Sequence, residues 1–343
     1  MMNKTNIGYY FLVMASIVIV LAGIKSASEI IVPFLLALFL AIIISPSYNY
    51  FNKKGLPSFI SLILVISLLL MAIITVGKLL GSSVNDFTSK LPFYEQQLSS
   101  SFDKVTELAL KYEIEIPQKE LSQIINSKQI INFSSTIVQS MGNIITNSFV
   151  ILLTAIFMLL ESTNFSQKII SIGSNSNLSK HLDSILTQIK EYMVLKSLIS
   201  LLTGFIVFVT LSIVGTDYPL LWAIVAFGLN FIPNIGSIIA AVPAVLLTLI
   251  QFGLFSSFIV AMIYVAINVI IGSIIEPKVM GKGLGLSTLV VFLSLIFWGW
   301  LLGMVGMLLS IPLTIMIKII LDSDESTKWI SILLGTGKDI KST

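Results

Sequence analysis

The sequence predicts an all-α integral membrane protein. Three observations carry that expectation. Of the 343 residues, 56% are hydrophobic and 11% are charged, against about half apolar and about a quarter charged in an ordinary soluble domain. The mean hydropathy is +0.99. The apolar residues also come in runs close to the roughly 20 residues that a membrane-spanning helix needs.

Six runs read as full spans: Tyr9–Ile24, Ile30–Ser45, Phe59–Leu80, Ile144–Leu160, Val194–Val214 and Leu254–Ile275. The first is followed soon by the second, so it reads as a retained helix rather than a cleaved leader. Two further stretches are interrupted. Leu220 to Ile250 is broken by Pro233-Asn234-Ile235-Gly236, and Leu284 to Leu321 is broken around Trp298-Gly299-Trp300.

Orientation follows the lysines of the short loops, which favour the cytoplasm. Lys4, Lys53 and Lys54 place the N-terminus and the second loop inside, so residues 81–143 lie outside. Lys168, Lys180, Lys190 and Lys196 then fall inside, as do Lys278, Lys282 and the C-terminal tail. On this accounting 220–250 begins and ends at the outer face, as a re-entrant hairpin does. The stretch 284–321 reads as a second hairpin, entered from the cytoplasm, or as one tilted span. Paired interrupted segments of opposite entry point to the binding site of a secondary transporter.

The domain layout expected is therefore N-terminal spans over 1–80, an extracytoplasmic helical insertion over 81–143, and a span with a cytoplasmic surface helix over 144–195. A transport core follows over 196–321, then a tail over 322–343. Within the insertion, Leu98, Phe102, Val105, Ala109 and Tyr112 recur at spacings of four and three, one face of an amphipathic helix.

Several chemistries are excluded by residue type. There is no cysteine, hence no disulfide or thiolate metal site, and the lone histidine, His181, has no second histidine to share a metal with. No metal or cofactor is expected. Gly335-Thr336-Gly337-Lys338 is not a phosphate loop, since Ile332 and Asp339 occupy its required Gly and Ser/Thr positions. No nucleophile–base pair stands out, so an enzyme is not expected. Nor is nucleic-acid binding, which needs a basic face.

The candidate functional residues are polar groups in apolar surroundings. Asn230, Asn234 and Ser237 surround the first break, and Asn268 lies mid-span. Backbone breaks at membrane depth are tolerated only inside protein or along a watery cavity. These residues therefore form either a solute-binding site or a hairpin tip whose polar groups satisfy one another. Pro233, Gly236 and Pro243 shape that hairpin; Gly303 and Pro312 shape the second. Glu276-Pro277-Lys278, just past a long apolar run, is either a membrane-edge ion pair or a gate in which Glu276 couples protons. Lys196 and Glu161, at helix ends, carry the same ambiguity.

Longer motifs resemble a known family. Lys196 to Gly204, Asn230-Phe-Ile-Pro-Asn-Ile-Gly-Ser237, Ala240 to Pro243, Glu276 to Thr288 and Phe297 to Gly303 are similar to the autoinducer-2 exporter family. The similarity is dense and specific from about residue 190 to 321, while over 1–190 only the hydrophobic layout agrees. Two positions depart from the family pattern: Lys278 and Lys282 replace frequent arginines, and Met304 follows Gly303 where proline is usual. The resemblance implies a homo-oligomeric plasma-membrane transporter without an ATP motor. The resemblance also implies export of autoinducer-2 or a similar small polar solute, with H⁺ or Na⁺ as the coupling ion expected. A Na⁺/H⁺-type antiporter and a membrane scaffold that binds envelope partners through residues 85–140 are the alternatives.

Overall fold

The structure, a computed structural model, describes residues 4–94, 96–97, 100, 132, 134–136, 138–140, 148–172, 176–233, 235–279 and 285–335. The amphipathic helices expected in the insertion, the side chain of His181, and Asn234, Lys282 and Lys338 lie outside them. Among the described residues the elements are helical, with no strand. In order they are α1 (Lys4–Ser26), α2 (Ser28–Lys53), α3 (Ser58–Ser89), α4 (Ser148–Ile172), α5 (Ser176–Val214), α6 (Pro219–Leu229) and α7 (Gly236–Ile267). A π-helix (Asn268–Ile275) then leads to α8 (Glu276–Val279), α9 (Thr288–Leu308), α10 (Ser310–Asp322) and α11 (Lys328–Leu334).

Among the described residues, five helical stretches are long and apolar enough to cross a membrane: Ser28–Lys53, Ser58–Ser89, Leu186–Val214, Gly236–Val279 and Thr288–Leu308. Phe11–Ser26, Ser148–Glu161 and Pro219–Leu229 are shorter apolar helices. Outward-facing side chains such as Phe149, Phe205, Ile213, Phe255 and Phe258 are exposed, as lipid contact requires. Two hydroxyls within these helices are returned to the backbone: Thr154 donates to the Val150 carbonyl at 2.8 Å and Ser197 to that of Met193 at 2.7 Å.

The chain divides into two compact units. One comprises Ser47–Ser148 and Glu191–Leu284. Within it α5 ends at Gly215, whose φ of +85° lets its N–H and that of Thr216 both return to the Leu211 carbonyl. α6 then begins with Pro219 in its first turn, where the missing N–H costs nothing. It packs on α7 across the break at 230–235. Thr216, before α6, hydrogen-bonds Thr248 at 3.0 Å, and the Asp217 N–H donates to Gln251 Oε1 at 3.0 Å. The hairpin 219–252 thus starts and finishes at one end, with its break at the other. Phe87 of α3 packs against Tyr94, Tyr218 and Trp222 at that root, with ring centroids 5.2–6.1 Å apart.

A second reversal follows at Gly253, with φ +79° and ψ −173°, a region essentially reserved for glycine. Beyond it Ser257 donates to the Val245 carbonyl at 3.0 Å. Twelve residues of straight helix would put those atoms about 18 Å apart, so the chain has folded back alongside the hairpin.

The other unit comprises Met1–Pro46, Phe149–Lys190 and Gly285–Thr343. Here the break expected around Trp298-Gly299-Trp300 lies instead at Gly303, with φ +68° and ψ −150°, while those three residues stay helical within α9; the reversal falls where glycine takes up angles that a side chain resists. Trp298 Nε1 donates to Thr314 Oγ1 at 3.0 Å, sixteen residues on, so 284–321 folds back on itself rather than running as one straight helix. Its bend rests on the glycine's own dihedral angles, so Met304 in place of proline does not prevent it. The two hairpins share a device. A Cβ on Gly236 would lie 1.8 Å from the Leu229 carbonyl oxygen, and one on Gly306 would lie 2.0 Å from that of Trp298. Each hairpin closes where only a hydrogen fits. Pro243 and Pro312 follow within the returning helices, both buried, and each leaves one carbonyl of the preceding turn without its usual donor.

Candidate functional site

The site is built around the tip of the first hairpin. Asn230 caps the end of α6, and its Nδ2 donates to Ser200 Oγ of α5 at 3.0 Å. On the other side of the break, Ser237 Oγ donates to Asn268 Oδ1 at 2.8 Å. Both partners lie deep in long apolar helices. Ser200 is fourteen residues before Val214, about 21 Å along α5 at 1.5 Å per residue. Asn268 is fifteen residues past Gly253, a similar depth. The tip is therefore held well within the apolar stretches Leu186–Val214 and Gly236–Val279 rather than at their ends, by uncharged hydrogen bonds.

Asn268 also opens the π-helix. Such wide turns occur mostly as single bulges and often at functional positions. Gly272 keeps the next turn clear, since a Cβ there would approach Asn268 Oδ1 to 3.2 Å. Pro233 lies within the tip, and Gly236 lets α7 start against the end of α6.

Beyond the tip lies a charge pair. Lys196 Nζ donates to Glu276 Oε1 at 2.6 Å; the lysine side chain is 2% exposed and the carboxylate 19%. Glu276 thus takes a partner eighty residues away, while Pro277 and Lys278 next to it are exposed. Lys196 sits one turn before Ser200, and Glu276 two turns after Asn268, so the pair joins the two helices on the side away from the root.

The structure brings Asn230, Ser237, Asn268 and Glu276 into one unit, with Pro233, Gly236 and Pro243 shaping its hairpin. Gly303 and Pro312 belong to the hairpin of the other unit. Sequence reasoning passed over Ser200, Tyr192, Thr203 and Tyr264, all buried. A signal for three of them was present: Tyr192, Lys196, Ser200 and Thr203 are spaced by four, four and three, a polar stripe down one face of an apolar helix. Among the described residues no group of three or more His, Asp or Glu side chains is placed to hold a metal ion.

Comparison with known proteins identifies the family. Residues 13–324 match the family described as AI-2E family transporter. The chain is similar to a putative transport protein of Haemophilus influenzae, 40% identical over 99% of this chain and 100% of the relative. It is 36% identical to the AI-2 transport protein TqsA of Escherichia coli K12, over 94% of each. It is 35% identical to the putative transport protein YhhT of the same organism, over 98% of this chain and 96% of the relative.

Proposed function

The chain belongs to the AI-2E transporter family, and from that premise we propose that it exports autoinducer-2 or a similar small polar metabolite across the bacterial plasma membrane. It is a multi-pass membrane transport protein; the solute, the direction and the energy source are the proposed part. The supporting observation is the hairpin tip, where two amides and two hydroxyls (Asn230, Ser200, Ser237, Asn268) meet in uncharged hydrogen bonds midway along the apolar stretch Leu186–Val214. A hydroxyl-rich neutral solute exchanges such bonds for its own with little net change. A charged solute finds no unpaired counter-charge there, since Lys196 and Glu276 neutralise each other. Movement without ATP requires the site to face each side in turn, and release of the tip from Ser200 and Asn268 is the step that opens it.

The test is flux of labelled autoinducer-2 through liposomes holding the purified protein, with and without an imposed proton gradient. Flux that rises with the gradient and falls at least tenfold in Asn230→Ala is the expected outcome. No flux under either condition, in folded protein, rejects the solute.

The buried ion pair supports a second reading, exchange of Na⁺ for H⁺ at Glu276. On that reading an external sodium pulse drives Na⁺ in and H⁺ out, alkalinising the vesicle interior in the absence of any organic solute, and Glu276→Gln abolishes the response.

A further inference from the structure

The polar stripe of α5 holds more than the tip and the ion pair use. Tyr192, Lys196, Ser200 and Thr203 are each at most 2% exposed, and Val207 and Leu211 continue the same buried face. Lys196 and Ser200 are engaged, but the Tyr192 hydroxyl and Thr203 Oγ1 have no hydrogen-bond partner. On the facing helix, Tyr264 stands one turn before Asn268, 4% exposed, and its hydroxyl is also unpartnered. Of the six buried side-chain polar atoms without a partner among the described residues, three therefore lie on the two helix faces that grip the tip.

Their depths are ordered. At 1.5 Å per residue, Thr203 lies about 4.5 Å and Tyr264 about 6 Å from the tip bonds toward the root of the hairpin. Tyr192 lies about 6 Å beyond Lys196 on the opposite side. A buried hydroxyl with no partner costs free energy that valine or phenylalanine of the same shape avoids. Native interiors rarely carry such groups without a reason. The chain pays that cost three times beside one site, each time with a group that both donates and accepts.

We infer that these hydroxyls are two further solute subsites: Thr203 with Tyr264 on the root side of the tip, and Tyr192 on the side of the Lys196–Glu276 pair. The ligand class is a neutral solute carrying several hydroxyls, which meets one subsite before the tip releases and the other after it. This rests on the transport reading above.

The experiment uses the full chain in membrane vesicles of both orientations, with labelled autoinducer-2 as probe, and thermal unfolding of the purified protein. Thr203→Val, Tyr264→Phe and Tyr192→Phe are expected to leave the unfolding midpoint unchanged or raise it. Thr203→Val and Tyr264→Phe raise the half-saturating concentration about fivefold, the worth of one hydrogen bond, for solute applied at the face of the hairpin root. Tyr192→Phe does so for solute applied at the opposite face. Half-saturation that is unchanged, or that changes at the wrong face, overturns the subsites. A lowered midpoint with unchanged half-saturation assigns the hydroxyls to packing and overturns them as well. No flux through the unaltered protein removes the transport reading and this inference with it, whereas normal flux with silent variants removes the inference alone.

Discussion

At the scale of single residues, the ion pair between Lys196 and Glu276 has the largest energetic stake. Taking both charges out of water is costly, and their attraction offsets that cost only while both are present. Removing one strands the other, typically at about 3–5 kcal/mol; because Glu276 keeps 19% exposure, the lower end applies. Lys196→Met should therefore destabilise the protein by about 3 kcal/mol, and Lys196→Met with Glu276→Met should recover most of it. Denaturant unfolding in detergent measures both. A double variant no better than the single one would mean that the pair contributes little. Glu276→Gln asks a separate question. If Glu276 carries the coupling proton, flux through this variant becomes independent of pH with folding intact, and a pH profile like that of the unaltered protein would exclude the role. Outside the membrane-spanning helices, the Tyr94 hydroxyl donates to Asp217 Oδ2 at 3.1 Å, and burial pushes its phenol well above the ordinary range. A raised phenol contributes fully below its unfolded value of about 10 and is lost only as pH rises through the folded one. This anchor at the hairpin root therefore stays constant across the physiological range.

At the scale of elements, the two hairpins are set by glycines of two kinds. Gly253 and Gly303 supply backbone angles that a side chain resists, with open space around them. Gly236 and Gly306 have helical neighbours but no room. The distinction predicts different failures. Gly253→Ala should cost about 1–3 kcal/mol from backbone strain while leaving the tip bonds intact. Gly236→Ala must push α6 and α7 apart, because its Cβ would overlap the Leu229 carbonyl; Ser237 then loses register with Asn268. Gly236→Ala should abolish flux in protein that still inserts and keeps its helix content, whereas Gly253→Ala keeps at least partial flux. Circular dichroism and the liposome assay on the two variants decide this, and full flux in Gly236→Ala would show that close packing at the tip is dispensable. The interrupted pattern was readable here because prolines, glycines and asparagines punctuate otherwise apolar runs. That 284–321 folds back rather than running straight was not readable. One glycine among several had to adopt φ +68°, and composition does not say which.

At the scale of the whole molecule, the lysine distribution predicts the orientation, with both termini and Lys54 in the cytoplasm and residues 81–143 outside. The chain has no native cysteine, so single introduced thiols report without background. In intact cells, Glu107→Cys should react with a membrane-impermeant maleimide, and Lys54→Cys should react only after permeabilisation. The reverse pattern would invert the proposed direction of transport along with the topology.

The sequence by itself determined that this chain is helical and lives in a membrane, that its first hairpin breaks near Pro233, and which family it belongs to. Those properties are local or compositional: hydrocarbon demands long apolar runs with internally satisfied backbones, and a break needs particular residues at the break. Only the tertiary structure decided which polar groups meet. Lys196 with Glu276, Asn230 with Ser200 and Ser237 with Asn268 are separated by 80, 30 and 31 residues. Each pairing depends on the rotation and depth of two helices at once. An apolar helix presents lipid with nearly the same surface at many rotations. The packing of its few polar residues selects one, and that selection is a property of the assembled fold.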